Sequence, residues 1–326
     1  MIITRTPLRI SIGGGGTDLP SYYRRFGGAL ISSAIDKYVF IGINKSFSYD
    51  YQIKYSKFER VAAVNDIRHP IVREALRLHN MPPALEIISM ADIPAGTGLG
   101  SSGTFAVGLL RALYAMQRRH VTSEEVAREA CHIEIDILKQ SIGKQDQYIA
   151  SYGGLTFFEF LPDDSVRVSP LKISEQTLSD LEENLLMFFT GYSRAAADIL
   201  EDQDRRTSNG DAEMIENLHY VKELGAHIKT ALEAGDTEKF GRLMHEHWQM
   251  KQRRSSNMSN EAVNRWYEVG RNAGAAGGKM VGAGGGGFLL FYTRDRTSLR
   301  AAMAKEGLPE VPFCFDHDGS MTIVRG

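Results

Sequence analysis

The sequence predicts an α+β protein of two domains, and its length, its apolar patterning and one change in composition support this fold class. A chain of 326 residues is long enough for two domains, or for one large domain with appendages. The first 60 residues show short apolar runs between glycine-rich turns, as strands do, whereas the second half shows the apolar spacing of helices. Polar residues and prolines concentrate at 160–185. We therefore predict an N-terminal domain at residues 1–175 and a C-terminal domain at 176–326.

The composition is that of an ordinary globular protein and excludes several functional classes. Hydrophobic residues make up 43% of the chain and charged residues 24%, and no run approaches the ~20 apolar residues that span a bilayer. The formal net charge of −2 gives no support for a nucleic-acid partner. With two cysteines, Cys131 and Cys314, neither a disulfide framework nor a zinc site is indicated. Because no targeting segment is recognisable, we expect a cytoplasmic enzyme without a membrane partner.

Apolar runs bounded by glycine, proline and polar residues predict the strands. They lie at residues 2–5, 8–12, 38–43, 51–55, 85–89, 155–160 and 288–292. Helical spacing predicts helices at 71–78, 101–116, 123–138, 215–232, 240–250 and 263–269. At the start of the third helix, Thr122 and Glu125 form a capping box.

The segment 94–103, Pro-Ala-Gly-Thr-Gly-Leu-Gly-Ser-Ser-Gly, indicates a phosphate-binding loop. Its alternating glycines allow successive backbone N–H groups to converge on an anion, and the helix that follows directs its partial positive charge to the same place. Ser101 and Ser102 fall at that helix N-terminus, where hydroxyls can bind phosphate or magnesium. The alternative is a glycine-rich surface turn with a serine N-cap. Neither a Walker loop nor a dinucleotide fingerprint is present.

A second glycine-rich turn lies near the N-terminus, between an arginine and an aspartate. Arg9 precedes the four glycines at 13–16, and Thr17 and Asp18 follow them. Four consecutive glycines cost backbone entropy, which a chain tolerates where its backbone must approach something closely. We therefore expect a site at this turn. The alternatives are that Asp18 caps the next segment and that Arg9 is a solvated strand residue.

Two carboxylates in the middle of the chain are candidates for phosphoryl-transfer chemistry. Glu134 lies on the edge of the apolar stripe of its helix, where a half-buried carboxylate needs a cationic partner. Magnesium and a lysine or arginine salt bridge would satisfy that need equally. Asp146 lies in Gly-Lys-Gln-Asp-Gln, beyond a glycine break. A metal ligand and a general base would suit phosphoryl transfer, while a helix N-cap is the alternative for Asp146.

A third glycine cluster, 282–287, precedes the last predicted strand and implies a turn whose backbone faces something closely. A smaller pair, Gly153 and Gly154, precedes the strand at 155–160. His245 and His247 lie two residues apart, on different faces of their helix. We interpret both as ordinary core or surface residues and not as metal ligands.

The glycine-bearing segments at the start, middle and end of the chain resemble, in this order, the three motifs of the GHMP kinases (galactokinase, homoserine kinase, mevalonate kinase and phosphomevalonate kinase). The segment 94–103 resembles their ATP-phosphate loop, Pro-x-x-x-Gly-Leu-Gly-Ser-Ser-Ala, with Gly103 in place of the usual alanine. The resemblance covers nearly the full length. It implies an N-terminal domain like ribosomal protein S5 domain 2, a ferredoxin-like C-terminal domain, and an active site between them that uses ATP and Mg²⁺.

Residue by residue, the resemblance implies a role for each candidate. Asp146 resembles the galactokinase-type base, and Glu134 is placed as a magnesium ligand with Ser101 or Ser102. Arg9 would stabilise developing charge or keep Asp146 ionised, and Asp18 would bind sugar hydroxyls. The resemblance assigns the ATP-phosphate loop to Pro94, Gly96, Gly98, Leu99, Gly100, Ser101, Ser102 and Gly103. We expect substrate contacts at Gly15, Gly16, Thr17, Asp18, Gly153, Gly284, Gly285 and Arg194.

The first motif departs from that of galactokinases and changes the expected substrate. Galactokinases have Gly-Glu-His where this chain has Gly14-Gly15-Gly16, so the usual sugar-binding glutamate is missing. The first motif and the central loop resemble most closely the D-glycero-α-D-manno-heptose 7-phosphate kinases, which phosphorylate an anomeric hydroxyl. Fucokinase domains, an inactive sugar-binding regulator and a decarboxylase of the same superfamily are the alternatives. The expected substrate is thus a small sugar or sugar phosphate.

A sugar that already carries a phosphate would need a cationic pocket separate from the ATP loop. The candidates are Arg24, Arg25, Arg194 and Lys251. Each could also be a solvated charge. We prefer Arg194, because the neighbouring glycine turn could present it to the cleft.

Overall fold

A computed structural model describes residues 1–191, 196–254 and 258–326, without the side chains of residues 196 and 197. These ranges form an eight-stranded and a three-stranded sheet with helices packed against both, which confirms the α+β fold class. The strands are β1 Ile2–Gly13, β2 Gly28–Lys45, β3 Tyr51–Lys54, β4 Phe58–Val61, β5 Leu85–Ala91, β6 Leu155–Phe160, β7 Val166–Pro170, β8 Leu185–Gly191, β9 Ala275–Met280, β10 Gly287–Thr293 and β11 Met321–Arg325.

The helices account for most of the remaining described chain. They are α1 Pro20–Phe26, α2 Pro70–Leu78, α3 Ser101–Met116, α4 Ser123–Cys131, α5 Gln145–Tyr152, α6 Glu175–Asn184, α7 Ala196–Ser208, α8 Ala212–Glu233, α9 Thr237–Arg254, α10 Glu261–Asn272 and α11 Arg296–Lys305. A 3₁₀ turn spans Val64–Asp66, and a π-helical turn, His132–Ile137, continues α4. The capping box of Thr122 and Glu125 is confirmed.

The large sheet has the order β11-β1-β2-β5-β3-β4, and β6 extends it from β2 toward β7. Only β3 and β5 pair in parallel among the described strands. Because β11 pairs with β1, the last residues of the chain complete the sheet that the first residues begin. The domain boundary between residues 175 and 176 stays a prediction.

The predicted separate strands at 2–5 and 8–12 are wrong, because both belong to the single strand β1. Its pairing with β2 shifts register between Pro7 and Leu8. Proline has no backbone N–H to donate, so it interrupts the ladder without ending the strand. The strand β2 is also longer than the predicted 38–43. Its first half is buried on both faces, which removes the alternation that marks a strand in the sequence.

Helix α3 lies against β1 at close range, which fixes the position of its N-terminus. A Cβ atom on Gly108 would come within 2.8 Å of the Thr6 hydroxyl. The Thr4 hydroxyl donates to the Gly108 carbonyl over 2.9 Å, and the Thr104 hydroxyl donates to the Pro7 carbonyl over 3.2 Å. These contacts hold the first turn of α3, with its two serines, beside the middle of β1.

The small antiparallel sheet, in the order β8-β10-β9, belongs to the second half of the chain. Helix α9 approaches β9 so closely that a Cβ atom on Gly277 would come within 1.9 Å of the Gly241 carbonyl oxygen. This contact sets a short distance between α9 and the sheet. As a result, the last turn of α9, with Lys251 and Arg254, is buried beside the end of β9.

Candidate active site

The loop at 94–103 has the backbone conformation that its glycines predict. Gly96, Gly98 and Gly100 have φ angles of 82°, 81° and 79°, in the left-handed region that other residues adopt only with strain. Left-handed residues that alternate with ordinary ones form anion-binding nests of backbone N–H groups. Gly100 is also the N-cap of α3, so the helix N-terminus opens onto the same loop.

Glu134 is fully buried and lies directly beside the loop serines. The Ser102 hydroxyl donates to Glu134 Oε1 over 2.5 Å, and Gln147 Nε2 donates to Glu134 Oε2 over 2.6 Å. Burial raises the pKa of Glu134 to about 7, against the opposite effect of these two hydrogen bonds. In the described chain no lysine or arginine pairs with Glu134, so the salt-bridge alternative is not supported.

The oxygen atoms around Glu134 are suited to a hard cation. The Ser101 hydroxyl is buried and has no hydrogen-bond partner among the described residues. An orphaned hydroxyl is costly unless a ligand completes its bonding. Together with Ser102 and Glu134 it offers the hydroxyl and carboxylate oxygens that Mg²⁺ prefers. The site therefore fits a magnesium ion held between the loop and Glu134.

Asp146 and Arg9 form an ion pair directly beneath the loop. Arg9 Nε donates to Asp146 Oδ1 over 2.8 Å, and Arg9 Nη1 donates to the Gly98 carbonyl. Arg9 is buried, whereas Asp146 is about one third exposed. The N-cap alternative for Asp146 is wrong, because the N-cap of α5 is Lys144 and Asp146 lies within the first helical turn.

The close contact of α3 with α5 depends on Gly103. A Cβ atom there would come within 2.8 Å of Asp146 Cβ. Leu99 contributes to the loop through its backbone, since its side chain is buried in the core and its carbonyl accepts the Arg9 N–H over 3.1 Å.

Asp18 is buried at the first glycine turn and faces the same region. It accepts hydrogen bonds from the backbone N–H groups of Gln145, over 3.0 Å, and Gly16, over 3.2 Å. Burial raises the pKa of its carboxyl. Its capping alternative is not supported, because α1 has Leu19 at its N-cap. Thr17 was expected to contact substrate, but it does not line the cavity next to Asp18. Its hydroxyl is instead hydrogen-bonded to the backbone of Gly14 and Ala29.

Two cavities meet at the Arg9–Asp146 pair. The loop cavity has a volume of about 590 Å³ and is lined by the glycines and serines of the loop and by Tyr55, His69 and Phe105. The second, which we call the cationic cavity, is lined by Arg9, Ser11, Gly15, Gly16, Asp18, Gln145, Asp146, Gln203, His247, Lys251, Arg254 and Lys279. Gly282 and Ala283 line both. A group held at the junction can therefore be reached from either side.

The full length of the chain resembles known kinases. The GHMP kinases N terminal domain matches residues 65–154, and the GHMP kinases C terminal domain matches residues 228–308. The chain is 29% identical to the D-glycero-alpha-D-manno-heptose 7-phosphate kinase of Campylobacter jejuni, over 98% of this chain and 97% of that protein. The chain belongs to the GHMP kinases.

Other relatives of this GHMP kinase act on different molecules. It is 32% identical to the bifunctional fucokinase/GDP-fucose pyrophosphorylase of Arabidopsis thaliana, over 65% of this chain but 20% of that protein. The crystal structure of a D-glycero-D-manno-heptose 1-phosphate kinase from Bacteroides thetaiotaomicron matches all of both chains, with a TM-score of 0.80 and 26% identity. As a GHMP kinase, the chain is an ATP-dependent phosphotransferase. Within its described ranges, no helix is long and apolar enough to cross a membrane.

Several residues expected to contact substrate lie elsewhere in this GHMP kinase. Gly153 ends α5 and packs on the tail, where a Cβ atom would come within 2.4 Å of the Gly319 nitrogen. Gly284 and Gly285 contact Met258 and line neither cavity. Glycine at these positions therefore serves backbone packing.

The described cations that were proposed to bind a distal phosphate lie in different parts of the structure. Arg24 pairs with Asp164 at the surface, Arg25 reaches the Thr207 carbonyl, and Arg194 lies outside the described residues. Of the three candidates that the structure describes, Lys251 alone lines the cationic cavity.

Two groups of residues escaped the sequence analysis. Tyr55, His69 and Phe105 form an aromatic wall of the loop cavity, in which the His69 and Phe105 rings stack with centroids 4.7 Å apart. Arg254 and Lys279 line the cationic cavity together with Lys251. No local motif marks either group, because their members come from separate elements.

Proposed function

We propose that this GHMP kinase transfers the γ-phosphoryl group of ATP to the anomeric hydroxyl of a sugar, and that the sugar is D-glycero-α-D-manno-heptose 7-phosphate. The observation that carries the proposal is the position of Asp146 at the junction of two cavities, one with a phosphate-type loop and one with Asp18. The similarity to the Campylobacter jejuni heptose 7-phosphate kinase along nearly the whole of both chains supports the choice of sugar.

The loop cavity suits ATP. The backbone N–H groups of the loop and the N-terminus of α3 would bind its phosphates. The aromatic wall of Tyr55, His69 and Phe105 would pack against the adenine ring of ATP, because aromatic rings attract one another when they stack. Mg²⁺ bound by Ser101, Ser102 and Glu134 would neutralise charge on the phosphate oxygens.

Asp146 would act as the general base. Oδ1 is held by Arg9, whereas Oδ2 has no hydrogen bond to any described group, so Oδ2 is the oxygen available to the sugar hydroxyl. The ion pair fixes the orientation of the carboxylate, and a positioned base is what phosphoryl transfer to a hydroxyl needs. Asp18, held by two backbone N–H groups, would accept hydrogen bonds from other sugar hydroxyls.

The second candidate is a fucokinase-like sugar 1-kinase. It is favoured by the 32% identity to the Arabidopsis thaliana enzyme, which is higher than that to the heptose enzyme but extends over 65% of this chain. The two candidates differ in whether the sugar carries a phosphate before the reaction.

The test is ADP release by the purified protein with Mg²⁺, ATP and four sugars side by side: heptose 7-phosphate, fucose, galactose and mannose. We expect the highest kcat/KM with heptose 7-phosphate. A higher kcat/KM with fucose would establish the second candidate instead. Binding of ATP and sugar without turnover of any of the four would contradict both candidates and favour a sugar-binding regulator.

A further inference from the structure

The cationic cavity contains more buried positive charge than its carboxylates balance. Lys251, Arg254 and Lys279 are all more than nine-tenths buried. Because Asp146 is paired with Arg9, the carboxylate left to face these three cations in the described cavity lining is Asp18. The residues between the described ranges include no aspartate or glutamate. With every group ionised, the cavity therefore has an excess of two positive charges.

These cations also retain unused hydrogen-bond donors. The Lys279 ammonium makes no hydrogen bond or ion pair with any described residue, although Lys279 is 1% exposed. Arg254 donates through Nε to Asn217 and through Nη1 to Gln203 and Gly15, but its buried Nη2 has no partner in the described chain. Lys251 donates to two backbone carbonyls and has a third N–H to give.

Such an arrangement is unfavourable in the free protein. Burial, together with the nearby positive charges of Arg254 and Arg9, lowers the pKa of Lys279 to about 7. Buried charges without partners are unfavourable, so a purely structural cluster would carry matching carboxylates. A ligand that carries negative charge would supply the missing partners.

We propose that Lys251, Arg254 and Lys279 bind the phosphate that the sugar already carries before the reaction, an assignment that rests on the proposed function. A phosphate monoester carries about −1.5 to −2 charges at neutral pH, which matches the excess in the cavity. The three cations come from α9 and β9, whereas Asp18 and Asp146 come from the N-terminal half. A sugar phosphate would span the cavity between these two sets. None of the three lines the loop cavity, so the phosphates of ATP have a separate site.

This assignment replaces our preference for Arg194 with residues whose positions are described. It also gives His247 a place. Its ring is buried against the cationic cavity, and neither ring nitrogen has a hydrogen-bond partner among the described residues. His247 thus adds a further nitrogen-bearing side chain to the lining of the cationic cavity.

The first test is Lys279→Met, with Lys239→Met on the exposed face of α9 as the matched control. Methionine keeps the length of the side chain and removes the charge, and no hydrogen bond to a described group is lost. We expect the KM for heptose 7-phosphate to rise about 10- to 150-fold, as for the loss of a charge-assisted hydrogen bond. The KM for the same heptose without its phosphate, and the KM for ATP, should stay within about two-fold of wild type.

The second test measures anion binding without turnover. Inorganic phosphate should raise the Tm of wild type and of Lys239→Met, and it should raise the Tm of Lys279→Met much less. If no sugar is phosphorylated but phosphate raises the Tm of Lys279→Met less than that of wild type, the proposed function is wrong and the anion-binding site is supported. Equal effects of Lys279→Met on the phosphorylated and unphosphorylated heptose, no effect on either, or a matching rise in the KM for ATP would each overturn the assignment.

A third variant covers the case in which Lys279→Met does not fold. Arg254→Met is then compared with Arg253→Met, its exposed neighbour on α9. The same selective rise in the KM for heptose 7-phosphate supports the assignment, and its absence in a folded Arg254→Met protein overturns it.

Discussion

The two cavities that meet at Asp146 are built in opposite ways. The loop cavity would bind phosphate through backbone N–H groups of consecutive residues, and the left-handed glycines that shape it carry no charge. The cationic cavity obtains its charge from side chains of α9 and β9, which are brought together only by tertiary packing. The difference teaches that a site built from the backbone of consecutive residues is visible in the sequence, whereas a site built from side chains of separate elements leaves no local motif.

The largest expected effect comes from the junction of the cavities. Asp146→Asn should lower kcat about 10²–10⁴-fold, the range for the loss of a positioned general base. The dissociation constants of ATP and of the sugar should change little, because each is bound mainly in its own cavity. Steady-state kinetics combined with isothermal titration measures both quantities.

The control for this variant is Asp66→Asn, an exposed carboxylate that lines neither cavity. Near wild-type turnover by Asp146→Asn would show that Asp146 is not the base. A large loss of binding to one substrate would show that Asp146 belongs to that substrate's cavity and not to the junction.

A smaller effect should appear on the loop side alone. Gln147→Leu removes the hydrogen bond that holds Glu134 Oε2. Loss of a partner that orients a metal ligand costs about 10–100-fold in metal affinity, so half-maximal activity should require that much more Mg²⁺. The KM for the sugar should be unchanged. If activity shows the wild-type dependence on Mg²⁺, Glu134 is not a metal ligand.

The loop backbone itself should tolerate substitution less well than an equally strained glycine elsewhere. An alanine at Gly98 would adopt a left-handed φ, at a cost of about 1–2 kcal/mol, and its Cβ atom would come within 2.8 Å of the Val281 carbonyl oxygen. We expect Gly98→Ala to raise the KM for ATP on the order of ten-fold and to leave sugar binding intact.

Gly307→Ala is the control for Gly98→Ala. Gly307 has a φ of 76° with nothing within 4 Å of the added Cβ atom, so only the backbone strain is shared. Gly307→Ala should lose about 1–2 kcal/mol in urea unfolding, and Gly98→Ala should lose more, because its Cβ atom also clashes with the Val281 carbonyl oxygen. If Gly307→Ala raised the KM for ATP as much, the effect would come from stability and not from the loop.

The two cavities should also respond oppositely to pH in metal-free protein without substrates. Glu134 has its pKa raised from 4.5 to about 7, so the folded state holds an extra proton and stability falls as pH rises through about 7. Lys279 has its pKa lowered from 10.5 to about 7, so the unfolded state holds the extra proton and stability rises between about 7 and 10. Glu134→Gln and Lys279→Met should each flatten only their own part of the Tm profile. An unchanged profile in either variant would contradict the burial of that charge.

The sequence predicted those features whose cause is local. Alternating glycines followed by two serines specify the loop and the start of α3, and Thr122 with Glu125 specifies the start of α4. The fold class and the GHMP kinase family were also predicted correctly, because three motifs in a fixed order carry the family resemblance.

Features that arise from distant contacts could not be predicted. The strand β11 returns to pair with β1 across the length of the chain, and the burial of β2 on both faces hides its period. Arg254 and Lys279 look like ordinary charges in the sequence, because their burial follows from how α9 packs on β9. Gly284 and Gly285 were assigned to substrate from the family resemblance, although they pack on Met258.

The most direct test of the account is the ³¹P NMR spectrum of the product formed from ATP and heptose 7-phosphate. We predict a second monoester resonance that couples to the anomeric proton, while the original 7-phosphate resonance persists, and no such signal from Asp146→Asn. A new phosphate on any other hydroxyl, or conversion of the 7-phosphate into a diphosphate, would contradict the placement of Asp146 as the base beside the anomeric hydroxyl.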